Sequence, residues 1–167
     1  MNITADVAEV QRQARRRYEP RRWVIHPLHD AARSAYILTS PDNAVTYWKE
    51  AVATDQTVTD EVENVIVIAL NVRRRVIGHT VIATGSVASV SIMPREVFRY
   101  AVIANAHSII MMHNHPSGDS SPSEEDIRQT RKLAQAGKLL KIELLDHVII
   151  GSGTNQHTSL REQGYMA

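Results

Sequence analysis

Residues 113–126 read HNHPSGDSSPSEED, and this stretch indicates most strongly how the 167-residue chain folds and works. It follows a short apolar run, 107–112, that is typical of a strand. Because side chains at i and i+2 of an extended chain point to the same side, His113 and His115 can direct both imidazoles at one point. Asp126 follows eleven residues after His115, where the pattern predicts a helix. We therefore expect two histidines and a carboxylate to meet where the strand ends.

Two histidines and an aspartate form a ligand set that suits zinc. Three protein ligands leave a tetrahedral zinc one open position for water, which is typical of hydrolytic sites. Bound zinc lowers the pKa of that water toward about 7 and polarises a carbonyl group. The chain contains no cysteine, which excludes a thiolate nucleophile, a thiolate metal site and a disulfide framework. The spacing predicts a hydrolytic zinc centre held by His113, His115 and Asp126.

The same stretch also fits a capping motif at the start of a helix. Two registers compete, one beginning at Ser121 and the other pairing Ser123 with Asp126. Proline favours the first helical position, so Pro122 indicates Ser121 as the N-cap. In that register Ser123 lies inside the first turn, where its hydroxyl can serve another purpose, and Asp126 is not needed as a cap.

Outside this stretch, the chain alternates strand-like and helix-like patterns. The nearly continuous apolar run 62–70 is typical of a strand buried on both faces. Further strands are predicted over 76–84, 86–92 and 142–150. Helices are predicted from Pro41 with Ser40 as N-cap, over 94–105, and over 122–136, where Gly137 takes the C′ position. This order predicts an α/β or α+β sandwich built around one main sheet.

Composition and charge exclude several classes of protein. With 43% hydrophobic and 22% charged residues the chain is ordinary for a globular protein, which excludes wholesale disorder. The formal net charge is +1, so overall charge does not indicate a polyanion-binding protein. No apolar run approaches the roughly 20 residues that span a bilayer, and no signal peptide is recognisable. We expect a soluble, cytoplasmic protein without a membrane partner.

Residues 1–39 differ from the rest, and we expect an arginine-rich N-terminal arm followed by a domain over 40–167. Six arginines fall within eleven positions of this arm, opposed only by Glu19. One interpretation is a solvated helix face or frayed arm. The other is a phosphate-contacting arm, with Arg15, Arg16 and Arg17 as the nucleic-acid contacts, because guanidinium groups bind phosphate oxygens bidentately.

The pattern His-x-His, seven residues, Ser, two residues, Asp resembles the signature of the JAMM (MPN+) metalloprotease superfamily. Four segments resemble its RadC-like JAB domain branch: PREVF at 94–98, HNHPSGD at 113–119, LLDHVIIG at 144–151 and SLREQG at 159–164. The resemblance covers about residues 40–165. It implies a JAB/MPN fold, a curved mixed sheet flanked by helices in cytidine-deaminase-like layers. It also implies one catalytic Zn²⁺ per chain, bound by His113, His115 and Asp126.

Further site residues are implied by the same resemblance. Glu63, at the start of the buried run, matches the family's general-base glutamate; the alternative is a solvent-facing residue at a strand edge, and Glu96 is the second candidate. Ser123 matches the serine that hydrogen-bonds the oxyanion. Asp146 and His147 are candidates for orienting the ligands, although a structural hydrogen-bonding role for His147 is the alternative.

Three functions stay open at this point. A zinc peptidase or isopeptidase, acting on a peptide or an isopeptide-linked protein, is favoured by the complete signature. A DNA-associated protein or nuclease is favoured by the arginines and the family's link to DNA repair, but 1–39 is too short for the helix-hairpin-helix region of longer RadC-like proteins. The third function is a non-catalytic MPN scaffold. The apolar Met111-Met112 pair and the arm are candidates for a homodimer interface.

Overall fold

The computed structural model describes residues 36–85 and 92–166, whose centre is a five-stranded mixed sheet. Its strands are β1 (Asn64–Leu70), β2 (Val76–Thr84), β3 (Ser108–His115), β4 (Glu143–Gly151) and β5 (His157–Ser159). The spatial order is β2-β1-β3-β4-β5, with β3 and β4 parallel and the other neighbouring pairs antiparallel. The prediction of one mixed sheet in an α/β fold is confirmed.

Among the described residues, three helices cover the two faces of this sheet. They are α1 (Pro41–Tyr47), which continues as a π-helical turn over Trp48–Val52, α2 (Pro94–Ile103) and α3 (Glu124–Leu140). Alternate residues of β1 belong to two separate apolar clusters, one shared with α2 and α3 and the other with α1. Because every residue of β1 is buried, the prediction of a strand covered on both faces is confirmed.

Local signals at the start of α1 operate as predicted. Ser40 is the N-cap, its side chain accepts a hydrogen bond from the backbone N–H of Asn43, and Pro41 occupies the first turn. The apolar side of this helix and of the π-helical turn, including Trp48, packs against the sheet. Helix α2 likewise begins at Pro94.

The predicted end of α3 is wrong. The helix continues through Gly137 to Leu140, and Lys141 closes it in the left-handed conformation with φ of 57°. A Cβ at Gly137 would lie 2.5 Å from the carbonyl oxygen of Ile142 and 3.2 Å from the ring of Phe98. The glycine is therefore used for close packing between α3, α2 and the chain entering β4, and it does not end the helix.

Two sets of expectations fall outside the described residues. The predicted strand 86–92 lies almost entirely there, and so do the arginines Arg15, Arg16 and Arg17 of the arm. The boundary between arm and domain at residue 39 stays a prediction. Within the described residues, none of the helices combines the length and apolar character needed to cross a membrane.

Candidate metal centre

A parallel strand–helix–strand unit builds the site. Strand β3 extends to His115, three residues beyond its predicted end, and α3 leads from there to β4, which pairs with β3 in parallel. His113 lies opposite Val65 of β1 and Ile149 of β4, so its ring leaves the sheet between two buried strands. The chain then turns back and presents the first turn of α3 to the end of β3. This connection brings Asp126 to the two histidines.

The three side chains that the spacing selected do converge. Nε2 of His113 lies 2.9 Å from Nε2 of His115 and 3.3 Å from Oδ1 of Asp126, and Nε2 of His115 lies 3.8 Å from Oδ2 of Asp126. One potential ligand atom from each residue lies within 4.8 Å of the other two. Two imidazole nitrogens and one carboxylate oxygen match the donor types of a three-ligand zinc site. The residues present therefore fit a zinc ion.

The loop after β3 orients His115. Its Nδ1 lies 2.8 Å from the carbonyl oxygen of Asp119, which can only accept, so Nδ1 carries the proton of this hydrogen bond. In the neutral ring the lone pair then belongs to Nε2, the atom that faces Asp126. The side chain of Asp119 accepts from the backbone N–H of Ser121 at 2.9 Å, and this turn shapes the loop.

Asp126 uses its two carboxylate oxygens for different partners. Oδ2 accepts hydrogen bonds from the backbone N–H of Ser123 at 2.8 Å and from the Ser123 hydroxyl at 2.5 Å, while Oδ1 faces His113. The Ser123 hydroxyl in turn accepts from the N–H of Asp126 at 3.2 Å, which completes a capping box. A capping role and a place among the three converging side chains, which the sequence offered as alternatives, therefore coexist in Asp126.

The predicted N-cap Ser121 is therefore wrong. Ser123 is the N-cap of α3, and Pro122 precedes the cap instead of occupying the first helical turn. The N–H of Ser121 is already committed to the turn at Asp119, whereas Ser123 gains the reciprocal bonds with Asp126. The side chain of Ser123 is consequently held beside the candidate ligand Asp126, which the Ser121 register did not provide.

A cavity of about 380 Å³ opens beside His115 and Asp126. Its lining comprises Glu63, His115, Pro116, Ser117, Ser123, Glu125 and Asp126. Glu63 immediately precedes β1 and is half-buried. The second candidate base, Glu96, lies in the first turn of α2, where its carboxylate accepts from the N–H of Met93 at 3.2 Å. Of the two glutamates, Glu63 is the one on the cavity.

Asn114, between the two histidines, was not anticipated as a site residue. Its side chain points to the opposite side of β3 and is almost fully buried. Its Oδ1 accepts from the backbone N–H of Asn64 at 2.8 Å, and its Nδ2 donates to the carbonyl of Val62 at 3.0 Å and to Oγ of Ser152 at 2.9 Å. Asn114 thus holds the backbone on both sides of Glu63. A polar residue inside an apolar strand was the available signal.

Asp146 is placed differently from the prediction that it orients a ligand. Its carboxylate accepts from Oγ of Ser159 and the N–H of His147, both at 2.7 Å, and from the N–H of Arg161 at 3.2 Å. Burial raises the pKa of Asp146, and these hydrogen bonds act in the opposite direction. The carboxylate fixes β4, β5 and the segment after β5 to one another through backbone N–H and hydroxyl groups.

His147 contacts a candidate ligand directly. Its Nε2 lies 2.7 Å from Nδ1 of His113, and its Nδ1 lies 2.6 Å from Oγ1 of Thr130, a residue that sequence reasoning missed. Burial lowers the pKa of His147 well below its usual value, and the nearby His113 and His115 lower it further. Burial also lowers the pKa of His113, with Asp126 opposing and His115 reinforcing that shift. Both buried rings therefore favour their neutral forms.

Comparison with known proteins matches the chain to one family. The model of the RadC-like JAB domain matches residues 38–165. A UPF0758 protein of Geobacillus sp. (strain WCH70) is 42% identical over 131 residues, which cover 78% of this chain and 55% of that protein. A UPF0758 protein of Methanosarcina acetivorans is 44% identical over 104 residues, covering 62% of this chain and 44% of the relative. The chain spans about half the length of the curated relatives it matches.

Proposed function

The chain belongs to the RadC-like JAB domain family, and from that membership we propose that it is a zinc-dependent hydrolase that cleaves peptide or isopeptide bonds. One observation carries the proposal: two imidazoles and a carboxylate converge within 4.8 Å beside a cavity that also contains Glu63. Three protein ligands with space beside them are typical of a catalytic site, because a structural zinc site is closed by a fourth protein ligand.

In this proposal the ion and the protein have separate tasks. Zinc, when bound by His113, His115 and Asp126, supplies Lewis-acid polarisation of the scissile carbonyl and a more acidic water. Glu63 takes a proton from the attacking water as the carbon–oxygen bond forms. It then delivers that proton to the amine nitrogen as the carbon–nitrogen bond breaks. The products are a carboxylate, which keeps the oxygen of the water, and a protonated amine, which takes up both of its protons.

Ser123 is the proposed donor to the developing oxyanion. Ser123 lines the cavity and its hydroxyl donates to Oδ2 of Asp126, so rotation about its Cβ–Oγ bond would redirect the proton toward a bound carbonyl oxygen. One donor of this kind contributes about 3 kcal/mol to lowering the barrier. The backbone N–H groups in the first turn of α3 place the positive end of a helix dipole nearby, which also favours negative charge.

Nucleic-acid hydrolysis is the less favoured chemistry. Many nucleases use two metal ions about 4 Å apart. Within residues 36–85 and 92–166, one group of three side chains qualifies as a metal site. Binding of nucleic acid through Arg15, Arg16 and Arg17 is a separate prediction that cleavage of an amide bond does not require. A peptidase is therefore the function that the described residues support best.

The proposal is tested in two stages on tag-free protein purified without chelators. Elemental mass spectrometry is expected to find about one zinc per chain in the wild type and none in Asp126→Ala. The zinc-loaded protein is then screened against linear peptides and isopeptide-linked conjugates, with a chelator and with zinc added back. Ser123→Ala is the matched control for metal content, since it loses the helix cap but keeps all three ligands. Wild-type protein that binds no added zinc would refute the proposal.

A further inference from the structure

We propose that Thr130, acting through His147, fixes the tautomer of His113 so that Nε2 of His113 is presented to the metal. The inference deepens the proposed function, and its metal-binding consequence rests on that function. Its structural part concerns where protons sit in a buried chain of four groups, which can be examined without any metal. Thr130 and His147 are thereby assigned as positioning residues.

The series of hydrogen bonds begins at the backbone of α3. Oγ1 of Thr130 lies 2.6 Å from the carbonyl oxygen of Asp126, one helical turn earlier. A carbonyl oxygen can only accept, so the single hydroxyl proton of Thr130 is committed to this hydrogen bond. Thr130 is fully buried, which keeps water from competing for either side of its hydroxyl group. The hydroxyl oxygen therefore has only acceptor capacity left.

The second step fixes the tautomer of His147. Its Nδ1 lies 2.6 Å from Oγ1 of Thr130. Because the Thr130 hydroxyl already donates its proton to the carbonyl of Asp126, its oxygen must accept a hydrogen bond from Nδ1. Nδ1 of His147 is therefore protonated. The ring is 1% exposed, and a buried group of this kind strongly favours its uncharged form. In the neutral ring the remaining nitrogen, Nε2, carries a lone pair.

The third step reaches the candidate ligand. Nδ1 of His113 lies 2.7 Å from Nε2 of His147 and donates its proton to that lone pair. Nε2 of His113 is left unprotonated, facing Oδ1 of Asp126 at 3.3 Å and Nε2 of His115 at 2.9 Å. His115 has the same tautomer because of its bond to Asp119. The two histidines and the carboxylate therefore present only electron pairs to one another, an arrangement that a cation stabilises.

A neutral histidine is an unusual acceptor for the N–H of a metal-binding histidine. Metal-bound histidines generally donate their other N–H to a carboxylate, a backbone carbonyl or a water. Here the acceptor is the neutral ring of His147, which adds no negative charge. The orientation of that ring depends in turn on Thr130. This series of hydrogen bonds begins and ends at the same residue. The backbone carbonyl of Asp126 accepts the first hydrogen bond, and the Asp126 side chain faces His113, the last ring of the series. One residue thus contributes a ligand and anchors the tautomer of another.

The test uses the full chain, metal-free, at about pH 8, where imidazoles are ordinarily neutral. Long-range ¹H–¹⁵N NMR of the histidine rings identifies the protonated nitrogen, with peaks assigned from single His→Gln variants. We expect Nδ1–H for both His113 and His147. In Thr130→Val, which keeps the shape but removes the hydroxyl, the signals of both rings should shift toward the other tautomer. Thr130→Ser, which keeps the hydroxyl, should retain the wild-type pattern.

Zinc affinity, measured by competition with a chromophoric chelator, provides the second readout. Thr130→Val should bind zinc about 10- to 100-fold more weakly, as is typical when an outer partner of a ligand is lost, and Thr130→Ser should bind as wild type does. An Nε2–H tautomer of His113 in the wild type would overturn the inference, and this result needs no folded variant. Unchanged ring signals in folded Thr130→Val would overturn it as well. The expected tautomers without any zinc binding would support the inference while refuting the proposed function.

Discussion

Nδ1 of His113 lies 2.7 Å from Nε2 of His147, so the first histidine of the candidate site is anchored to the neighbouring parallel strand. The two ring centroids are 4.8 Å apart, with 44° between the ring planes. His115, by contrast, is held by a loop carbonyl. The two histidines therefore differ in how firmly the fold supports them, and substitutions around each are expected to have different consequences.

The roles of the two candidate bases are separable by substitution. Glu63→Gln should retain the fold and zinc but lose about 10²- to 10⁴-fold in the rate of amide hydrolysis, because the amide cannot accept the proton of water. Steady-state cleavage and metal content, measured on the same preparation, check this expectation. Glu96→Gln is the control and should retain the wild-type rate. Full activity in Glu63→Gln together with its loss in Glu96→Gln would reassign the base.

Replacement of the capping serine should affect both the helix cap and the metal site, because the Ser123 hydroxyl contacts Asp126. Ser123→Ala is expected to destabilise the protein by about 1 kcal/mol, because the N-terminal turn of α3 loses the hydroxyl that accepts from Asp126. Urea denaturation of metal-free protein measures the change. Because the Ser123 hydroxyl also donates to Oδ2 of Asp126, its loss should weaken zinc binding by about 10- to 100-fold. Asp126→Asn, which changes a proposed ligand itself, should weaken binding further, by more than about 100-fold. Equal affinities in the two variants would contradict the assignment of Asp126.

Asn114 should be important for stability as well as for placing Glu63. Asn114→Ala leaves the buried N–H of Asn64 without this partner, whereas the carbonyl of Val62 still accepts from Nδ2 of Asn64. One orphaned buried group costs about 1–3 kcal/mol, so a loss of that size in the free energy of unfolding is expected. The control is Asn155→Ala, an exposed position where a change below about 0.5 kcal/mol is usual. Similar stability in both variants would contradict a structural role for the hydrogen bonds of Asn114.

At Gly137, helix propensity and packing predict opposite effects of an alanine substitution on the free energy of unfolding. Alanine is favoured over glycine by about 1 kcal/mol in a helix interior. Because the added Cβ would lie 2.5 Å from the carbonyl oxygen of Ile142, Gly137→Ala should instead destabilise the protein by about 1–3 kcal/mol. Thermal and urea unfolding check the sign. The control is Gln135→Ala, at an exposed position on the same helix, which should be neutral or slightly stabilising. A stabilised Gly137→Ala would show that the carbonyl of Ile142 does not lie this close to Gly137.

Metal-free protein should lose stability as the pH falls. Burial lowers the pKa values of His113 and His147 below the usual 6.5. Between 6.5 and those lower values the unfolded chain binds more protons than the folded one, so the free energy of unfolding decreases on acidification. The stabilisation is complete above about pH 6.5 and is lost progressively below it. Unfolding midpoints from about pH 8 to pH 5 measure the slope, which His147→Gln should reduce; an unchanged midpoint over this range would contradict the buried neutral rings.

Local rules were sufficient for the features that depend on neighbouring residues. The i, i+2 spacing of His113 and His115 predicts two rings on one side of a strand, and the structure brings them to 2.9 Å. The capping register failed because the preference of Pro122 for the first turn was outweighed by the reciprocal bonds of Ser123 and Asp126. Strand β5 escaped prediction because its sequence HTS has no apolar run and becomes a strand by pairing with β4.

The remaining differences required tertiary proximity. Nothing in the helical pattern around Thr130 reveals that its hydroxyl meets a ring of β4, because that contact depends on how α3 lies over the sheet. The same holds for Gly137, whose use depends on the approach of Ile142 and Phe98. Asn114 likewise joins segments 50 residues apart. Sequence spacing could identify the candidate ligands, but the groups that support them come from elsewhere in the chain.

The double use of the Asp126 carboxylate affects how related chains should be compared. A relative that had lost its metal would still need an acceptor at this position to begin the helix, so an aspartate there is weak evidence of metal binding. His115 lies on the loop side of the site and supports no helix end. Its replacement would therefore be the informative sign that a relative has abandoned metal chemistry while keeping the fold.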